Sequence, residues 1–166
     1  MKLFVNRKGV ERMKLTSEGF KGDGILPSRF TCDGAGVSPP LQWQDVPDGT
    51  QAFALICEDP DAPRGVFTHW VLFNLRSGER ELGEGVPKDA VLSTGARQGT
   101  NSFSNVGYGG VCPPPGDDEH RYFFKLFALD TELDLAPGAR KDQLLDAMAD
   151  HILAEAQLMG TYKRRA

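Results

Sequence analysis

The amino-acid sequence predicts a single antiparallel β-sandwich. Three observations carry that expectation: many short apolar or alternating stretches, turns rich in Gly and Pro between them, and a helical repeat that occurs once, late in the chain. Repeating strand–helix–strand units are absent from the pattern. A chain of 166 residues suits one compact domain that buries about 70% of the surface its unfolded form exposes.

The elements follow in chain order. Residues 1–13 read as an N-terminal extension and 14–166 as the domain. Lys14–Phe20 is a candidate edge strand. Between Phe20 and Pro40 the turn signals Lys21-Gly22-Asp23-Gly24, Cys32-Asp33-Gly34-Ala35-Gly36 and Ser38-Pro39-Pro40 surround a short extended piece at Ser28–Thr31. Ile25, Leu26 and Phe30 mark this region as an ordered loop. Leu41-Gln42-Trp43 reads as a brief strand, and Val46-Pro47-Asp48-Gly49 as a hairpin-type turn feeding a buried strand, Phe53–Glu58. A proline-stiffened acidic corner, Asp59-Pro60-Asp61-Ala62-Pro63, leads into a second apolar strand, Val66–Leu75, which contains His69. Turns at Arg76–Gly85 precede a Gly-, Ser- and Asn-rich segment, Gly95–Gly110, whose Phe103, Val106 and Tyr108 favour an ordered binding loop. Cys112-Pro113-Pro114-Pro115-Gly116 is another stiff corner, and Asp117-Asp118-Glu119 reads as a solvated loop tip. The strand His120–Leu129 alternates so that Tyr122, Phe124, Leu126 and Ala128 share one face. Pro137 and Gly138 introduce a helix over about Arg140–Asp150, with Leu144, Leu145 and Met148 inward and Asp142 and Asp146 outward. Alternation returns over Ala154–Lys163, which predicts a closing strand; a continuing helix is the competing expectation.

Composition excludes several function classes. A net charge of -4 argues against a general nucleic-acid binder, which needs a basic face to neutralise phosphates. No stretch has the length of a membrane span or of a signal peptide's apolar run, which predicts a cytoplasmic protein. Cys32, Cys57 and Cys112 are odd in number and widely spaced, so neither a disulfide framework nor a structural zinc site is expected. Cys57 reads as a small buried hydrophobe.

The candidate site comprises Asp59, Asp61, His69, Tyr108, Cys112 and His120. Apolar strands rarely carry an ionisable group without a partner, because burying an unpaired charge costs several kcal/mol or forces it neutral. Each proline also restricts the residue before it, so the acidic corner is rigid. Four interpretations compete. In an anion pocket, imidazoles and the amides of Gly107–Gly110 donate to a phosphate or carboxylate, with Asp59 holding an imidazole protonated or accepting a ligand ammonium. A metal site would use two His with Asp or Cys, but the candidates lack close paired spacing. A hydrolytic Ser, His and Asp arrangement would use Ser102 or Ser104, without the G-x-S-x-G elbow. In the structural interpretation His69 is a satisfied core residue and the aspartates cap turns. Taken singly each residue favours structure; the two rigid corners together leave site and structure level. His151 is assigned to structure.

Asp59-Pro60-Asp61-Ala62-Pro63, His69-Trp70, Gly107-Tyr108-Gly109-Gly110, Cys112-Pro113-Pro114 and His120-Arg121-Tyr122, in this order, resemble the phosphatidylethanolamine-binding protein family, in particular its bacterial and archaeal Raf-kinase-inhibitor-like branch. Thr31-Cys32-Asp33-Gly34, Ser38-Pro39-Pro40-Leu41 and Gly160-Thr161-Tyr162 extend the likeness from about Leu15 to Arg164. The resemblance implies a mainly β fold, an antiparallel Greek-key β-sandwich with one or two peripheral helices near the C-terminus. It also implies a small anion pocket and a homodimer. Carried over, the pocket residues are Asp59, His69, Pro113, Pro114 and His120, with Asp61, Tyr108 and Tyr122 beside them. Val111 stands where this branch has proline, a departure expected to loosen one wall. The expected function is a non-enzymatic protein that binds a phosphate- or carboxylate-bearing ligand such as phosphoethanolamine, with kinase or protease regulation as a further expectation. A small hydrolase or metal-dependent enzyme is the alternative. His69 and His120 are expected to donate to the anion; no cofactor is expected.

Overall fold

The computed structural model describes residues 11–165. Nine strands and one helix are present among them: β1 (Glu11–Arg12), β2 (Lys14–Thr16), β3 (Leu41–Gln44), β4 (Ala52–Asp59), β5 (Phe67–Arg76), β6 (Glu81–Leu82), β7 (Arg97–Gln98), β8 (His120–Leu129), α1 (Lys141–Met148) and β9 (Ile152–Tyr162). They form a six-stranded sheet, β1-β9-β8-β4-β5-β7, and a three-stranded sheet, β2-β3-β6. The ladders are antiparallel except where β1 runs parallel to β9. Of the expected extension 1–13, residues 1–10 lie outside the described residues, Glu11 and Arg12 form β1, and Met13 is buried.

β4 is central, bonded to β5 on one side and β8 on the other, and all eight of its residues are buried. Its continuous apolar run fits a strand covered on both faces. Phe53, Leu55 and Cys57 point between the sheets, toward Trp70, Leu72, Tyr122, Phe124, Leu126 and, from the small sheet, Leu15, Leu41 and Trp43. Ala54 and Ile56 point to the outer face, where Phe73, Phe127, Leu144 and Met148 cover them. The helix thus caps the large sheet, with Leu144 and Met148 buried; Leu145 is exposed, contrary to expectation, because it lies off that face. Among the described residues α1 is the one α-helix, and the segment with two competing expectations is β9, paired with β8 from Ile152 to Tyr162.

Four local expectations fail. Ser28–Phe30 is a 3₁₀ turn, because the Phe30 and Thr31 amides reach back to the Pro27 and Ser28 carbonyls. The turn at Val46–Gly49 carries the chain from the small sheet to the large one, so it closes no hairpin. Cys32 and Cys112, 80 residues apart, form a disulfide, since the Thr31–Val111 bridge sets their two loops side by side. Cys57 remains a free, buried thiol whose pKa burial pushes up. Val111 is fully buried and its carbonyl accepts the Cys32 amide, so this wall is tied down and not loosened.

Candidate functional site

Three adjacent strands bring the two corners together. Asp59 ends β4 on the face of Phe53, Leu55 and Cys57, and His120 begins β8 on the face of Tyr122 and Phe124. Strict alternation would turn His69 away from them. The β4–β5 register, however, passes from Cys57↔Trp70 to Glu58↔Thr68, which leaves His69 as the extra residue of a bulge. Bulges re-aim side chains, and His69 is turned onto the ring of Tyr122, 5.5 Å between centroids. Asp59, His69 and His120 consequently line one hollow of about 210 Å³, walled by Ala62, Pro63, Phe67, Phe103, Cys112, Pro113 and Pro114.

The two imidazoles are chemically unlike. His69 Nδ1 lies 2.8 Å from the Gly109 carbonyl oxygen, which can only accept, so Nδ1 carries the proton. Burial lowers the His69 pKa to about 4, against the opposing effects of Gly109 and Asp59, so near neutrality Nε2 offers a lone pair. With Nδ1 committed to Gly109, His69 is placed to accept through Nε2, opposite to the donor role expected of it. His120 Nδ1 is 2.7 Å from Asp59 Oδ2, and its Nε2 is 3.2 Å from Asp117 Oδ2. Burial pushes the His120 pKa down, but the two carboxylates outweigh it and the net direction is up. The other Asp59 oxygen accepts the Asp61 amide at 2.7 Å, which fixes the carboxylate in the proline corner.

The remaining candidates divide. Pro113 and Pro114 line the hollow. Asp61 does not; it binds Arg121 through two guanidinium nitrogens and the Arg121 amide, each at 2.9 Å, and these bonds lower its pKa to about 2. Tyr108 is also a scaffold residue, packed on Trp70 with its hydroxyl donating to the Phe30 carbonyl at 2.7 Å. Tyr122 lies between the imidazoles, fully buried, with its hydroxyl beside Asp59 but in no hydrogen bond of good geometry. Burial and then the Asp59 charge raise its pKa. Ser102 Oγ accepts the Thr68 amide and bonds neither imidazole. Among the described residues no group of three His, Cys, Asp or Glu could hold a metal ion. His151 pairs with Asp130 at the half-exposed surface.

Residue-type reasoning left Ala62, Pro63, Phe67 and Asp117 out of the site and read Phe103 only as a sign of an ordered binding loop. The first two stand inside the acidic corner already singled out, so proximity in sequence was a usable signal. Phe103 is placed by Asn101, whose side-chain oxygen accepts the Phe103 and Asn105 amides, and it packs edge-on against Phe67 and His69. Asp117, expected to be a solvated tip, instead contacts His120. Gly109 allows Phe103 this position, because a Cβ there would lie 2.5 Å from the ring. Gly109→Ala is expected to push Phe103 off His69 at a cost of about 1–3 kcal/mol, checked by thermal unfolding and by loss of ring-current shifts on His69 in NMR spectra.

Comparison with known proteins agrees in sequence and in shape. The family model described as phosphatidylethanolamine-binding protein matches residues 16–163. A UPF0098 protein of Methanothermobacter thermautotrophicus is 51% identical over 152 residues, 92% of this chain and 99% of the relative. The crystal structure of CT736 from Chlamydia trachomatis, described as a phosphatidylethanolamine-binding protein homologue, superposes with a TM-score of 0.83 at 41% identity, covering 92% of this chain and 98% of that one. Escherichia coli YbcL, described as a member of the mammalian family, does so with 0.85 at 32% identity, covering 92% and 98%. With the matched segment running from β2 through the final strand, this chain belongs to the phosphatidylethanolamine-binding protein family.

Proposed function

We propose that the chain is a non-enzymatic binding protein whose hollow takes a small phosphate- or carboxylate-bearing ligand, with phosphoethanolamine as the model compound. The observation that supports this best is the buried His120–Asp59 pair opening into a hollow whose other walls, His69 apart, are apolar. A carboxylate beside an anion would oppose binding, but Asp59 is bonded to His120 and favours its imidazolium, a charge-assisted donor worth about 1.5–3 kcal/mol. His69 supplies the complement, a neutral acceptor for a ligand O–H or N–H. The pocket therefore suits a group that both accepts and donates, such as a monoprotonated phosphate ester. Pro63, Phe67, Phe103 and the two prolines flank its carbon atoms, and the rigid corners keep the ordering cost of binding low.

Calorimetry with inorganic phosphate and phosphoethanolamine tests the proposal. His120→Asn keeps a neutral donor beside Asp59 but removes the charge, and at least a tenfold loss of affinity is expected. His120→Ala should lose binding altogether. Wild-type affinity is expected to fall as pH rises above 6.5 through the raised His120 pKa. Unchanged affinity in folded His120 variants, or a flat profile from pH 6 to 9, would overturn the assignment. Homodimerisation and control of a kinase or protease extend the same proposal, and sedimentation equilibrium and inhibition assays address them.

A further inference from the structure

His120 has one ring nitrogen beyond the Asp59 bond, and a carboxylate of the chain itself sits on it. Asp117 Oδ2 lies 3.2 Å from Nε2, a longer contact than the 2.7 Å bond to Asp59. The Asp117 side chain is 41% exposed, whereas that of Asp59 is 4% exposed. Asp117 is carried by the Pro114–Asp117 turn, where its amide donates to the Pro114 carbonyl, and Gly116, at φ +87, anchors that turn on the Arg164 carbonyl. The carboxylate can thus leave Nε2 by side-chain rotation while the proline wall stays in place.

We propose that Asp117 is an internal stand-in for the ligand's anionic group: an anion enters the hollow by exchanging with this carboxylate, and Asp117 thereby selects ligands that also carry an ammonium. The proposal rests on the binding site assigned above and adds the residue that sets its specificity. Charge counting supports it. With Asp61 paired to Arg121, and Arg164, which reaches the Cys112 sulfur, paired to Asp33, the charges left in the hollow or bonded to its His120 are the Asp59 and Asp117 carboxylates and the imidazolium held between them, beside the neutral His69, a net charge of minus one. A bare anion that displaces Asp117 takes over one imidazolium bond but leaves the expelled carboxylate beside it, and like charges this close repel. A zwitterion replaces both interactions at once. Its anion bonds His120, and its ammonium receives Asp117. The ligand class is a phosphate or carboxylate with an amine a few bonds away, whether free or displayed as a lipid head group.

The test compares inorganic phosphate with phosphoethanolamine by calorimetry at pH 7, on wild type, Asp117→Asn and Asp117→Ala, each checked for native circular dichroism. Removing the carboxylate should strengthen phosphate binding about ten- to hundredfold, the weight of one charged hydrogen bond, and erase most of the preference for phosphoethanolamine. A merely structural Asp117 would change both affinities together and leave their ratio intact; that result, or no phosphate binding by Asp117→Ala, overturns the proposal. Loss of all binding in His120→Ala alongside an unchanged ratio in the Asp117 variants would sink only the exchange. Unaltered binding in His120→Ala would sink the site itself. Vesicles bearing phosphatidylethanolamine or phosphatidic acid repeat the comparison for the membrane-borne source. There the variants must again lose the preference for the amine-bearing head group.

Discussion

Replacing Cys32 and Cys112 by serine should destabilise the protein by about 4.5 kcal/mol, the loop-closure value for a cross-link spanning 80 residues. For a chain of this size that corresponds to a fall of roughly 9–18 °C in unfolding temperature. The bond joins the Pro27–Gly36 region to the corner that forms one wall of the hollow, and Cys112 itself lines that hollow. Other ties cross the same seam: the Cys32 amide to the Val111 carbonyl, and the Tyr108 hydroxyl to the Phe30 carbonyl. Folding should therefore survive the substitution, with ligand affinity reduced because Pro113 and Pro114 lose an anchor. Urea unfolding of the double variant, with and without reductant on wild type, measures the effect. A loss below about 1 kcal/mol would mean that the hydrogen bonds alone hold the loops together. Disulfides are rare in reducing compartments, so the reductant curve describes the protein as it would stand in one.

The large elements were legible because their side chains report burial directly. β4 is apolar throughout, β8 alternates, and the rigid corners at Asp59 and Cys112 announced themselves through their prolines. What stayed hidden depends on contacts between distant segments. The two-residue strands β6 and β7 carry no periodic signal, and the parallel pairing of β1 comes from the far end of the chain. No local pattern marks Gln98, which is buried and satisfied by accepting from Trp70 Nε1 and donating to the Pro87 and Asp89 carbonyls. The site shows the same division. That Asp59, His69, His120, Pro113 and Pro114 gather was readable; what each does was not, because His69 acquires its proton placement from Gly109 and His120 its second carboxylate from a turn that looked solvated. Charge inventories failed similarly at Glu58, a buried carboxylate bonded by Lys125 of β8 and Lys141 of α1.

Acid should weaken the fold well before the carboxylates titrate. The unfolded chain protonates His69 at its ordinary pKa of 6.5, whereas the folded protein does so only at about 4. Because the native pKa is the lower one, this contribution is complete above pH 6.5 and is lost as pH falls toward 4. Its size is about 3 kcal/mol. Asp61 and Glu58, both lowered from ordinary carboxylate values, enter later. His120 acts in the opposite sense: its native pKa is raised, so its contribution is present below 6.5 and is lost as pH climbs through the folded value. Stability should consequently peak near pH 6.5–7 and fall on both sides. His69→Gln removes the titrating group and leaves an amide that can donate to the Gly109 carbonyl. Whatever it does to stability at pH 7, it should flatten the acid limb between pH 6.5 and 4.5 and leave the alkaline limb alone. Urea midpoints across pH 4.5–9 for both proteins decide the matter. An acid limb of equal steepness in the variant would mean that His69 is already charged in the native state, in which case its Nε2 would be a donor and the division of labour between the two imidazoles would have to be redrawn.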